Sequence, residues 1–447
     1  RKMAECGLSP DHVETAGWDT PVEAGPFAVS FLHVTHSIPD PAMLLIETPA
    51  GRVLHTGDFK LDEAPLIGVP TNMARLRQIG DEGLLALVCD STNIFEPGRA
   101  GGEGPLRAPL EQLVRETKGA VAATTFASNV ARLKTLAETA QACDRSIVVA
   151  GRAMRRMIEL SVETGAIDGF PSVVSEDIAK SMPAEHLFYL VTGSQGEGRA
   201  AVARIASETH PTVTLGPGDR VLFSSKTIPG NEEPIYRLYN QLSALGVDVI
   251  DSDDAPIHVS GHACHDEIKE LHELVRPQLV VPMHGEHRHL VEHARLSHDW
   301  GERAALAPNG TMIDLRDGSR VGEVETGRAY LDGEVLVGAL DGVIRQRLKI
   351  ARSGHVSVSL AVDEEGELFA DPMVTVLGGP IYAGGDAPLE EMIANRLDGA
   401  LHGASRRERR SDDALVELAE RVTRKVCNDN WGKKPVVTAH VIRLEAE

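Results

Sequence analysis

The sequence predicts an α/β protein of more than one domain, and three observations carry that expectation. Short apolar runs end repeatedly on a polar residue, as strands do when they deliver side chains to one edge of a sheet. Between about residues 97 and 249 such runs alternate with helical stretches, which argues for a mostly parallel sheet. The 447 residues leave room for about three domains of ~150 residues, and 42% hydrophobic against 25% charged residues is enough for several cores.

Along the chain, residues 27–34 form an extended apolar run that leads into Thr35-His36-Ser37. Residues 42–48 and 52–55 flank Pro49-Ala50-Gly51, which predicts a hairpin whose second arm ends at Thr56-Gly57-Asp58. Residues 84–89 read as a buried strand that stops at Asp90, and the Gly-rich piece 97–105 marks a boundary. Beyond it, strands are expected at 120–126, 146–150, 187–192, 220–224 and 247–250. Helices alternate with them near 129–142, 152–164, 199–208 and 233–245. The strand-then-polar pattern returns at 257–261 and 278–282. After about Gly342 a small α+β unit begins, with alternation over 355–362, a helix face of Leu415, Leu418, Ala419, Val422 and Val426, and a closing strand at 435–444. Its basic run, residues 405–410, reads as a solvated loop.

Composition narrows the function. A formal charge of −21 disfavours loose binding to polyanions, so a nucleic-acid site has to be local, recessed or metal-assisted. No apolar run reaches the ~18–20 residues of a membrane span, so no membrane association is expected. Five dispersed cysteines without a Cys-x-x-Cys pair read as reduced thiols of a cytoplasmic protein. The chain opens Arg1-Lys2-Met3, which suggests that a segment precedes it in the complete gene product.

Four polar residues stand at the ends of apolar runs: His36, Asp58, His262 and His284. Imidazole with carboxylate suits zinc or another borderline dication, and one carboxylate can bridge two ions. Spacing alone is weak, because 18 histidines make coincidences common. The His289/His293 pair, spaced i,i+4, reads as a solvated helix face, and Thr192-Gly193-Ser194-Gln195-Gly196 suits a phosphate cradle or a tight loop equally well.

The local wording is stronger. His36-Ser37-Ile38-Pro39-Asp40, His55-Thr56-Gly57-Asp58-Phe59-Lys60, Asp90-Ser91-Thr92-Asn93, Phe126-Ala127-Ser128-Asn129, Ile228-Pro229-Gly230-Asn231-Glu232, Ser260-Gly261-His262-Ala263 and Pro282-Met283-His284-Gly285-Glu286 occur in order. Together they resemble the ribonuclease J family of metallo-β-lactamase-fold nucleases carrying a β-CASP insertion, over essentially the whole chain. The resemblance implies an α/β, metallo-β-lactamase αββα sandwich (its N-terminal part missing), an inserted β-CASP α/β domain and a small C-terminal α+β domain. The corresponding boundaries are 1–97 and 250–342 for the two parts of the metallo-β-lactamase domain, 98–249 for the insertion and 343–447 for the last unit.

Residue by residue, the resemblance implies metal ligation by His36 and His284 and bridging by Asp58. Asp90 matches the acidic residue that opens the β-CASP motifs and His262 the second motif, so both are expected to be catalytic. His258, Val259, Ser260, Gly261 and His262 match the segment that holds an RNA phosphate. A helix beginning near Asp266 would let backbone N–H groups there face the anion. The implied activity is 5′-to-3′ exonuclease cleavage of single-stranded RNA, with endonuclease cleavage as a further mode. Two zinc ions per subunit and a homodimer or homotetramer are implied as well.

One departure is plain: the family's His-x-His-x-Asp-His motif does not occur in these 447 residues. The matching region would precede Arg1, so the chain is expected to be a piece of a complete enzyme, to hold about half a metal site and to be inactive alone. The rival expectations are a non-catalytic assembly subunit and a hydrolase of DNA or small substrates on the same fold.

Overall fold

The computed structural model of the chain describes residues 3, 6–338 and 341–444. It falls into two compact units, Arg1–Val324 and Glu325–Glu447. The first unit contains strands Val22–Ala24 (β1), Phe27–His33 (β2), Ala42–Thr48 (β3), Gly51–His55 (β4) and Leu84–Asp90 (β5). An inserted region follows with Val121–Thr124 (β6), Ser146–Ala150 (β7), Leu187–Val191 (β8), Arg220–Phe223 (β9) and Asp248–Ile250 (β10), before the chain returns in Pro277–Met283 (β11).

The first sheet has the order β1-β2-β3-β4-β5-β11. Its first four strands are an antiparallel meander, while β4, β5 and β11 are parallel. One face buries Leu45, Leu54 and Leu87 against Leu76 and Ile79 of helix Met73–Asp81 and Ile268, Leu271 and Val275 of helix His265–Val275. The other face carries Val53, Ala86, Leu279 and Val281, packed on Ala305, Ile313 and Leu315. Each large apolar side chain fully buried contributes about 1.5–3 kcal/mol, so this two-sided packing fixes the register that positions the strand ends.

The inserted sheet, order β10-β9-β6-β8-β7, is parallel throughout. Both faces are covered, which explains why its strands read as unbroken apolar runs rather than alternating ones. Helices Arg107–Glu116, Val130–Ala142 and Arg152–Glu163 pack on one face, and Ala201–Ala206 and Glu232–Ala244 on the other.

The second unit begins with a hairpin, Ala329–Asp332 and Val335–Gly338, so the division falls before the expected boundary near Gly342. In its three-stranded sheet, His355–Val362 lies between Met373–Leu377 and Val436–Arg443. Helices Leu389–His402 and Asp412–Trp431 bury Ile393, Leu397, Leu415, Ala419 and Cys427 against that sheet. The basic run includes a short helical turn, Arg406–Arg409, and three of its four arginines pair locally: Arg406 and Arg410 with Glu365, and Arg409 with Glu367.

One predicted strand does not form. Residues 257–260 have no regular secondary structure and Gly261 is a bend; carbonyls that a strand would offer to a neighbour are taken by side chains instead. Ile257 O accepts from Ser224 Oγ at 2.6 Å and from Arg132 Nη1 at 3.3 Å, and Val259 O accepts from Arg132 Nη2 at 3.4 Å. Among the described residues no helix is long and apolar enough to cross a membrane.

Candidate active site

Strands β2, β4, β5 and β11 all run in one direction, so their carboxyl ends share an edge. His36 follows β2, Asp58 follows β4, Asp90 ends β5 and His284 follows β11. This is where open α/β sheets collect ligands. Asp58 lies between two imidazoles: its Oδ2 is 3.8 Å from His36 Nε2 and its Oδ1 is 3.5 Å from His284 Nε2. A cavity of about 710 Å³ opens over Asp58 and His284, with His55, Met283, Leu290 and Asn309 in its wall.

The surroundings fix each side chain. His36 Nδ1 is 2.6 Å from Gly261 O, and since a carbonyl only accepts, Nδ1 carries the proton and Nε2 turns its lone pair towards Asp58. Burial holds this imidazole below its ordinary pKa, against the Gly261 bond, which keeps the lone pair free. Gly261 has to be glycine, because a Cβ there would stand 2.7 Å from His36 Cε1 and from Ser37 Oγ. Gly57, at φ +58°, makes the turn that aims Asp58. His284 also has a left-handed backbone, φ +52°, a sparsely populated conformation for a residue with a side chain.

Asp90 is buried, and its Oδ2 accepts from His262 Nδ1 at 2.7 Å. Its Oδ1 takes the Thr92 N–H and Oγ–H at 2.9 and 2.6 Å. Burial opposes charge on both partners, but the mutual bond and charge outweigh it, lowering the Asp90 pKa and raising that of His262. The His262 ring lies 4.9 Å from that of His36 and 5.3 Å from that of His284. Ligand atoms of His36, Asp58 and His262 lie within 4.8 Å of one another, as do those of Asp90, His262 and His284. The five residues singled out in the sequence as catalytic or metal-ligating therefore meet in one cluster.

The rest of the expected substrate segment behaves differently. His258 Nδ1 is 3.2 Å from Nη1 of the buried Arg132, and burial together with that cation pushes its pKa down to about 3. Val259 packs on the core of the insertion. Ser260 Oγ accepts from Asn93 Nδ2 at 2.8 Å and from His262 N at 3.1 Å. The helix starts at His265, and its opening donors are already used: Ala263 N bonds Phe59 O, Cys264 N bonds Glu267 Oε2, His265 N bonds Glu96 O and Asp266 N bonds Gly98 O. The expected anion seat at this helix N-terminus is thus closed by the protein itself. In the loop 192–196, Gln195 Oε1 accepts from Ile228 N at 2.9 Å and its Nε2 donates to Lys226 O at 3.0 Å, tying that loop to the Pro229-Gly230 turn.

One histidine and one arginine depart from the sequence reading. His293 does not lie on a solvated face; it is fully buried, as is His272. Arg132, which the sequence reading passed over, is the hub of the polar contacts behind residues 257–259, bonded to Glu103 at 2.7 and 2.9 Å and to Ser224 Oγ at 2.8 Å. Its signal was an arginine on the same helix as the buried Val130, Leu133, Leu136 and Ala137.

A metallo-β-lactamase-type α/β fold with an inserted parallel β-CASP sheet, carrying histidines and aspartates at one sheet edge, defines a metal-dependent hydrolase. Family models agree: "Ribonuclease J, beta-CASP domain" matches residues 118–242, "Zn-dependent metallo-hydrolase RNA specificity domain" residues 255–307, and "Ribonuclease J C-terminal domain" residues 342–444. The chain is 37% identical over 426 residues to ribonuclease J of Sinorhizobium meliloti, covering 95% of this chain and 76% of that protein. Against ribonuclease J of Mycolicibacterium smegmatis it is 33% identical, covering 99% of this chain and 80% of the relative, and against that of Thermus thermophilus 30%, covering 99% and 77%. The chain belongs to the ribonuclease J family. Its function is that of a metal-dependent ribonuclease of this type.

Proposed function

We propose that the protein cleaves single-stranded RNA in the 5′-to-3′ direction at a two-zinc centre that His36, Asp58 and His284 would help to hold. The observation that carries this is the placement of the Asp58 oxygens, each turned to a different imidazole. The donor set fits zinc: neutral imidazole lone pairs and a carboxylate, with Gly261 O orienting His36 from behind. When bound, the metal pair supplies Lewis acidity and a nucleophile at neutral pH.

The chain's own residues do the rest. The Asp90 carboxylate, 2.7 Å from His262 Nδ1, raises the pKa of that imidazole and so favours its protonated form beside the cluster, the form that would protonate the leaving oxygen or steady charge on the phosphate. Asn93 holds the turn carrying His262 through Ser260 Oγ and His262 O, at 2.8 and 2.9 Å. We place the phosphate against residues 260–262, at the cleft end of the segment, with Val259 and His258 supporting from the core. Assembly as a homodimer or homotetramer would use the second unit, whose exposed Leu331, Leu336, Met373 and Ile381 support that role. The cytoplasm suits five unpaired cysteines.

Matched RNA and DNA oligomers, labelled at either end, test the reading in an active preparation of the enzyme. Release of mononucleotide from the 5′ label before the 3′ label, with RNA preferred, is the expected result. Equal cleavage of both polymers, or release from the 3′ end first, would overturn it.

A further inference from the structure

On the opposite side of β5 from Asp90, the structure gathers a second cluster of metal-ligating side chains, apart from the cleft. Cys89, His272 and His293 are 0%, 1% and 0% exposed, and one ligand atom of each lies within 4.8 Å of the others. They come from β5, from helix His265–Val275 and from helix His287–Asp299. Such groups are costly to bury unless they are paired or coordinate an ion.

Both rings are held from behind. His272 Nδ1 is 2.6 Å from Glu302 Oε2, so it donates its proton to that carboxylate and presents a bare Nε2. His293 Nδ1 is 2.8 Å from Ser91 Oγ, and the two Nε2 atoms face each other at 3.1 Å. Two imidazole nitrogens at ~2.0–2.1 Å from one tetrahedral zinc are themselves about 3.3 Å apart, so little movement is needed to seat an ion between them. A carboxylate behind a ligating histidine is the usual support of a metal site. Thiolate and Glu302 carboxylate together offset the charge of a dication.

We propose that Cys89, His272 and His293 form a buried structural site for zinc, separate from the catalytic cluster. Without metal the same atoms make a hydrogen-bonded chain, Ser91 to His293 to His272 to Glu302. On loading, His293 keeps one proton, now on Nδ1 and donated to Ser91 Oγ, while the Ser91 hydroxyl turns to Cys89 O, 3.4 Å away. One proton leaves, that of the Cys89 thiol. A water completes the fourth position.

Cobalt(II) loading of the metal-free 447-residue protein tests this, because thiolate-to-cobalt charge transfer in the near ultraviolet cannot arise from the nitrogen and oxygen donors of the cleft. The band should appear in the parent, persist in Asp58→Ala and in Cys264→Ser, and vanish in Cys89→Ala and in His293→Gln. Zinc analysis of Cys89→Ala should show a whole metal equivalent fewer than the parent, and zinc should raise the melting temperature of the parent more than that of the variant. Absence of the band in the parent overturns the proposal whatever the variants do. So does an unchanged band or zinc content in Cys89→Ala that folds by circular dichroism, leaving the cluster a hydrogen-bonded chain only.

Discussion

Residues 257–262 belong to two regions that solve the same problem, placing polar groups at a sheet edge, in opposite ways. The first half, Ile257 to Val259, is built into the closed network around Arg132, where the Glu103 carboxylate and the carbonyls of Ser224, Ile257 and Val259 surround a guanidinium with no exposed surface. The second half, Ser260 to His262, opens on the cleft, where Asp58 and His284 keep nearly half of their side-chain surface exposed. In the closed region each nitrogen of the guanidinium has an acceptor and the cation serves the fold. In the open region the oxygens of Asp58 and the Nε2 atoms of His36 and His284 stand 3.5–3.8 Å apart, too far for good hydrogen bonds and well placed for an ion to come between. The difference teaches that two histidines four residues apart, His258 and His262, have unrelated work.

The largest expected effect lies in the open region. In an active preparation of the enzyme, Asp58→Ala removes the carboxylate between the two imidazoles, so zinc at the cleft and RNA turnover should both fall to background while the fold persists. His262→Ala leaves His36, Asp58 and His284 in place; zinc should stay, and turnover should drop by roughly 10²–10⁴. Zinc content, melting temperature and turnover measured on the same samples check this. Loss of cleft zinc together with turnover in His262→Ala would break the comparison by showing that this imidazole holds the metal rather than the phosphate.

Four residues of the open region were legible in the sequence because each stands at the end of a strand, and strands announce themselves through apolar runs; His262 was legible only through the Ser-Gly-His-Ala wording, since no strand forms before it. His36, Asp58, Asp90 and His284 needed only the strand positions and a common direction. The closed region was not legible, since Arg132 sits on a helix and finds Glu103, Ser224 and His258 only after the insertion has folded back. Residues 257–261 misled for the same reason: their apolar, β-prone texture is that of a strand, but side chains rather than a neighbouring strand satisfy their backbone. His293 is buried rather than solvated because a helix hides which face will be covered until its partner is known; it meets His272, whose ring lies 5.0 Å from that of Trp300.

The second effect is on stability. Arg132→Met strands the Glu103 carboxylate in the interior, and breaking a buried pair from one side costs about 3–5 kcal/mol. Adding Glu103→Gln to that variant should recover a large part of the loss, because the uncompensated charge goes with it. Urea unfolding of the two single variants and the double variant measures the coupling. Additive losses would mean that the two residues do not act as one unit.

The smallest effect separates the two histidines by the sign of their pH dependence. Burial and the neighbouring Arg132 hold His258 neutral, with a pKa of about 3 in the folded protein against an ordinary 6.5. Between those values the unfolded chain binds a proton that the folded one refuses, so stability is complete above pH 6.5 and falls as the pH drops towards 3, by at most ~1.4 kcal/mol per unit. His262 is the reverse case: Asp90 raises its pKa, so its contribution is complete below pH 6.5 and is lost as the pH rises through the raised value. In the presence of chelator, His258→Gln should therefore flatten the acid side of the stability profile, whereas His262→Gln should cost most on that side and little at high pH. Chemical denaturation at a series of pH values reads both slopes. If His258→Gln left the acid slope unchanged, the Arg132 contact would not be what holds that imidazole neutral, and the line drawn between the closed and open halves of the segment would have to move.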